Sequence, residues 1–227
     1  MKRICRYLPL LFVAFFCIQF ANAQSGFDVN IGFGAAQDKA LGPVDINTLL
    51  PCATASSTCS STPSLNGFFL GIGANLMLWK KLGIGGEANF EPARQNYLTF
   101  QQQSSAQYGD VLQSRVTFYD FNGILQPVST KKVSLQLQGG VGGVKVSFTE
   151  KLSSSSAVLG NSNQTQPFGS SNHFQVHAGL GVQLYVSDHM FIRPQFDIHY
   201  VPNFTQFGRN LVTSETVWVG YSFGDRP

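Results

Sequence analysis

The sequence is poor in charge. Lysine, arginine, aspartate and glutamate make up 12% of its 227 residues, about half of what a soluble domain carries. The charge it has shows no excess of one sign beyond the N-terminus. The 15 basic residues exceed the 12 acidic ones by three, and Lys2, Arg3 and Arg6 account for that difference. The rest of the chain is formally neutral, which excludes the basic footprint of a nucleic-acid binder. After residue 23 no apolar run reaches the ~20 residues that a membrane-spanning helix needs, and helical periodicity is scarce. Cysteine is sparse too: four in all, with Cys5 and Cys17 in the N-terminal segment. That leaves Cys52 and Cys59 in the run CATASSTC. In an exported chain such a pair reads as one short-loop disulfide, and no further Cys or His stands near enough for a metal site.

The N-terminus has the grammar of an export signal. A basic start is followed by LPLLFVAFFCIQF and then by Ala21-Asn22-Ala23, a small-x-small site before Gln24. Residues 1–23 are therefore expected to be a cleaved signal peptide, since the apolar stretch is too short for an anchor.

What recurs afterwards is period two. Alternating segments run over 27–35, 67–79, 82–92, 114–126, 133–148, 174–186, 191–201 and 211–223, an even number of eight. In 174–186, Phe174, Val176, Ala178, Leu180, Val182, Leu184 and Val186 alternate with Gln175, His177, Gly179, Gly181, Gln183 and Tyr185. The links after residues 79, 126 and 186 have hairpin length. The others, at about 36–66, 93–113, 149–173 and 202–210, are long and rich in Ser, Gln, Asn and Thr. Short and long links fall on opposite ends of an up-and-down meander. In 133–148 the phase fails near Gly142-Gly143, where Lys145 stands on the apolar side; a bulge or exit of the strand into water would explain it.

Alternation alone does not say which face meets solvent. Three features turn the apolar face outward. The polar face is built from Gly, Gln, Asn and Ser rather than Lys and Glu. The apolar faces reach the ~9–11 residues of a tilted crossing. Aromatics (Phe27, Phe68, Tyr200, Tyr221, Phe223) stand near the ends, as in interfacial girdles. The expected fold is all-β, an eight-stranded antiparallel up-and-down transmembrane β-barrel over residues 24–227 with a filled polar lumen. Closure is required because a free strand edge in hydrocarbon costs several kcal/mol per unpaired group. Asp28, Glu87, Glu91, Asp120, His177, Arg193, Asp197 and His199 then point inward as a paired network, with Arg193 matched to Glu87, Glu91 or Asp197. The reverse orientation would give an exported soluble ligand-binding barrel.

Together the eight alternating segments, the short and long links and the ending VWVGYSF make the chain resemble the small outer-membrane β-barrels of Gram-negative bacteria, of the OmpA membrane-domain and OmpX type. The resemblance implies that outer-membrane lipid surrounds the chain. It also implies that Tyr221 and Phe223 form the terminal signal read by the outer-membrane assembly machinery, although Gly224-Asp225-Arg226-Pro227 follows. Lipid A-modifying barrels need a His with a Ser and a carboxylate. No histidine here stands two residues before a serine, so no enzyme activity, cofactor or metal is expected. The expected role is structural or surface interaction through the outer loops of a monomer, the alternative a narrow channel.

Overall fold

The computed structural model describes residues 26–40, 42–45, 59–61, 64–103, 107–156 and 160–224. The signal-peptide reading of 1–23 and the partner half of the Cys52–Cys59 pair lie outside the described residues. The strands are β1 (Phe27–Asp38), β2 (Pro43–Asp45), β3 (Cys59–Ser61), β4 (Leu65–Met77), β5 (Leu82–Phe90), β6 (Gln95–Gln103), β7 (Gln107–Ser129), β8 (Val133–Ser156), β9 (Gly160–Tyr185), β10 (Met190–Tyr200) and β11 (Leu211–Phe223). Eight of them, β1, β4, β5, β7, β8, β9, β10 and β11, pair with a neighbour on both sides, all antiparallel. The ring closes where Phe27 meets Phe223.

Register fixes the shape of the ring. Stepping across it from Phe27 leads through Leu76, Ile84, Gly123, Gly139, Ala178, Ile198 and Thr213 and returns to β1 at Gln37. The walk comes back ten residues away from its start, from 27 to 37. For eight strands that stagger tilts each strand by about 40° and leaves an interior just wide enough for side chains to fill.

The faces are oriented as the composition predicts. Outward stand Ile31 (66% exposed), Phe121 (73%), Ile72, Ile84, Leu180, Phe196 and Ile198. Inward and buried stand Asn30, Asn75, Glu87, Asp120, Gln136, Gln138, Gln183, Arg193 and Asp197. The apolar outer surface spans about ten residues on each tilted strand, the ~25 Å height of an outer-membrane band. Aromatic rings mark both its edges: Phe27, Tyr221 and Phe223 at the short-turn end, and Phe68, Phe90, Tyr119, Phe174 and Tyr200 at the other. Glu215, flanked in register by Ala35 and Phe196, is the one ionisable side chain that the described residues expose within this band. It lies toward the outer edge, where a carboxylate costs little.

Beyond the outer aromatic edge the polarity reverses while the register continues unbroken. On β7 and β8, Tyr119 pairs with Gly143, Phe118 with Val144, Thr117 with Lys145 and Val116 with Val146. Here Val116, Phe118, Val144 and Val146 are the buried inward residues and Lys145 is exposed. The failed phase at Gly142-Gly143 is therefore exit of the strand into water. The register shifts among the described residues lie elsewhere, between Asn96 and Leu98, between Leu125 and Val128 and between Phe148 and Thr149. Two of the stretches expected to be long outer loops are largely strand among the described residues: within 93–113, β6 pairs with the start of β7, and within 149–173 the outer part of β8 pairs with that of β9. Together these strands carry a four-stranded arm well past the membrane band.

Candidate functional site

The lumen is built in two tiers. At membrane depth it is polar. Arg193, with no exposed surface, donates from Nη2 to Glu87 Oε1 at 2.7 Å and from Nη1 to Gln136 Oε1 at 3.1 Å. With its amide oxygen turned to the guanidinium, Asn75 accepts from Nη1 at 2.9 Å. The guanidinium also lies 5.4 Å from the centre of the Trp218 ring. That ring crosses the barrel because its neighbours are glycine: a Cβ on Gly32 or Gly71 would come within 2.6 or 2.5 Å of it. The other Glu87 oxygen accepts from Gln195 at 3.1 Å and Gln138 at 3.3 Å. Arg193 and Glu87 thus have each other as charge partners and amides around them, the condition under which buried ions are tolerated.

Higher in the same tier the two histidines meet. His177 spans Asp197 Oδ1 (2.9 Å from Nε2) and Asn122 Oδ1 (3.0 Å from Nδ1), and its ring stacks on His199 with centroids 4.7 Å apart. His199 Nε2 lies 3.3 Å from Ser214 Oγ and Nδ1 lies 4.0 Å from Asp120 Oδ2. Asp120 is held by Gln175 at 2.6 Å. Ser, His and Asp therefore stand in the order of a nucleophilic triad. However, the His–Asp separation is past hydrogen-bonding range, Ser214 is buried, and Phe118 packs on the imidazole at 4.9 Å. The arrangement is a packed polar layer. Asp28, at the short-turn end, accepts from Gln183 at 3.4 Å.

The upper tier is hydrocarbon. Leu65, Phe69, Leu98, Leu112, Val116, Phe118, Val144, Val146 and Val212 line it. Segment 201–210, between β10 and β11, folds back into its mouth, burying Phe204 and Phe207. Hydrogen bonds to the arm and to the end of β1 fix it there, the Arg209 amide to Asp38 Oδ2 at 3.3 Å among them. The Tyr97 hydroxyl donates to the carbonyl of Gln206, Gln206 Nε2 donates to Ser171 Oγ at 3.0 Å, and the amide of Gly208 donates to the carbonyl of Lys39 at 2.6 Å. Burial pushes the Tyr97 hydroxyl up to about 12, so it remains a donor. This stopper gave no signal in the sequence, because 202–210 reads as an ordinary polar link.

Of the expected inward residues, Glu91 departs most. It stands past Phe90, beyond the membrane band, and does not pair with Arg193. Its carboxylate instead accepts the Val116 amide at 2.7 Å and Gln95 Nε2 at 3.2 Å. Burial lifts the carboxyl to about 7, against the opposing influence of the Val116 amide and Arg115. The folded state therefore holds this proton more tightly than the unfolded chain. Stability should fall as pH rises from about 4.5 to about 7, by on the order of 1–2 kcal/mol after screening. Urea unfolding midpoints at pH 5 and pH 8 should differ in that sense, and Glu91→Gln should reduce the difference.

A closed eight-stranded barrel with hydrocarbon outside and ion pairs inside is the fold of the small outer-membrane proteins of Gram-negative bacteria. Similarity among solved structures agrees. The attachment invasion locus protein Ail of Yersinia pestis, solved in complex with the heparin analogue sucrose octasulfate, superposes with a TM-score of 0.51 at 14% identity, over 88% of this chain and 99% of Ail. The N-terminal β-barrel domain of Pseudomonas aeruginosa OprF aligns over 86% of this chain and 97% of that domain, at 11% identity and a TM-score of 0.40. No family model matches the sequence, and no curated protein does either.

Proposed function

We propose that this protein is a non-enzymatic surface-interaction barrel of the outer membrane, delivered by a cleaved signal peptide and inserted by the assembly machinery through Tyr221 and Phe223. In this reading the barrel is an anchor and the β6–β9 arm is the working part. The observation that carries it is the contrast between the two: a lumen closed by the Arg193–Glu87 network and the Phe204 stopper, and an arm that is uncharged and exposed over 164–170, where polar Gln164, Thr165, Gln166 and Ser170 flank an exposed Phe168. Among the described residues the outer part of β9 pairs with β8 only, so its other edge offers backbone groups for strand addition by a partner. Ail, similar in fold, was solved with a sulfated ligand, which makes heparin a suitable first probe.

The arm can be shortened without touching the barrel. Leu152 and Gln164 are register partners, so joining them through Asn-Gly in place of residues 153–163 closes the same hairpin with a favoured turn. The shortened protein should reach the outer membrane at full level and keep its heat-modifiable migration, while adhesion of cells displaying it to heparin-coated or matrix-coated surfaces falls at least tenfold. Unchanged adhesion would remove the outer end of the β8–β9 hairpin from the function and leave 164–170 and the β6–β7 hairpin to carry it. Step conductance in planar bilayers that changes with Arg193→Gln would favour the channel instead.

A further inference from the structure

The outer surface carries a feature that neither the anchor nor the arm uses. Over β4, β5 and β7 the lipid-facing side chains are small at Ala74, Gly86 and Ala88 and large at Ile72, Tyr119 and Phe121, leaving an apolar groove of about 440 Å³ in the membrane band. Tyr119 leans away from it, across Gly143 of β8, where an added Cβ would meet its ring and hydroxyl. Above this groove, where β5, β7 and the adjoining β8 leave the band, stand three cations, Arg94, Arg115 and Lys145. Lys145 pairs in register with Thr117, which places it diagonally beside Arg115 on the outward face. Arg115 in turn donates to the carbonyl of Pro92 at 3.1 Å, and Arg94 follows two residues later. Lys145 and Arg94 are exposed, and among the described residues neither pairs with a carboxylate. The acidic neighbours are engaged: Glu91 is buried against Val116, and Glu150, further out on β8, accepts from Gln166.

A groove that fits hydrocarbon, opening toward a basic cluster at headgroup level, matches one amphiphile. The geometry points to a binding site for a phosphate-bearing lipid of the outer leaflet, with the phosphate held by Arg94, Arg115 and Lys145 and an acyl chain laid between Phe121 and Ile72. The phosphate favours planar guanidinium forks, of which the site has two. Small residues in the groove let the chain approach the backbone.

Native mass spectrometry of the full mature barrel in non-ionic detergent tests this, with hexa-acyl lipid A bisphosphate, its monophosphoryl form and phosphatidylcholine as competing probes. The bisphosphate should be retained at least tenfold over phosphatidylcholine, with the monophosphoryl form between them. The double variant Arg94→Gln, Lys145→Gln should lose that preference. Gly86→Leu should weaken retention of all three by filling the groove. A Cβ at Gly86 meets only the Asp120 carbonyl at 3.6 Å, so its barrel should fold; heat-modifiable migration checks this, and the exposed double variant provides an independent reading. Equal retention of the three lipids by the native barrel would overturn the site. So would unchanged preference in the double variant, or a Gly86→Leu protein that alters only self-association and so assigns the groove to a second copy.

Discussion

Arg193→Met is expected to lower the unfolding free energy of the barrel by about 3–5 kcal/mol, because it strands the Glu87 carboxylate in the lumen with only amide donors. Glu87→Gln should cost a similar amount by leaving the guanidinium without its charge partner. The double variant should cost less than the sum, since no unpaired ion remains in it. The measurement is a double-mutant cycle of urea unfolding in detergent or lipid vesicles, read by tryptophan fluorescence. Trp218 is a suitable reporter, as its ring lies beside the guanidinium. Additive penalties would show that the pair does not act as a unit and that the lumen is held by its amides alone.

Phe204→Ala should cost about 3–4 kcal/mol, the range for a fully buried aromatic, and its effect should be local. Phe204 packs against His173 at 5.5 Å and Phe207 at 5.1 Å, and the segment that carries it rests on side-chain and backbone bonds to the arm and to β1. Amide exchange should therefore rise in 201–210 and in the outer ends of β6 and β7, while the amides of β1, β10 and β11 at membrane depth stay protected. The variant should remain silent in planar bilayers, because the polar tier below still closes the lumen. Conductance on loss of Phe204 would show that the stopper alone is the seal.

The sequence was most legible where one face met hydrocarbon. Each segment from 174–186 to 211–223 alternates cleanly because lipid demands apolar side chains on one side and a narrow lumen demands polar or small ones on the other. Legibility failed where that contrast ended. In β8, Lys145 breaks the pattern while the backbone continues without interruption. The outer parts of β6, β7, β8 and β9 have water on both faces over much of their length, so Ser, Gln and Asn fill them and they resemble links. The inward charges were readable from phase, but their partners were not. Arg193 had three candidate carboxylates, and stagger around the ring decided for Glu87, while Asp197 went to His177 and Glu91 to a backbone amide. Pairing across a barrel depends on the shear, and no single strand encodes that.

The height at which the side chains exchange faces also works as a waterline. Were the surrounding bilayer a few ångströms thicker, Thr117, Lys145 and Gln37 would be drawn among acyl chains; were it thinner, Tyr119, Phe174 and Tyr200 would stand dry of lipid. Either displacement carries a cost that grows with each ångström of mismatch. The chain therefore carries its own draught mark, and a series of vesicles of graded acyl length should give the fastest insertion at the thickness for which that mark was set.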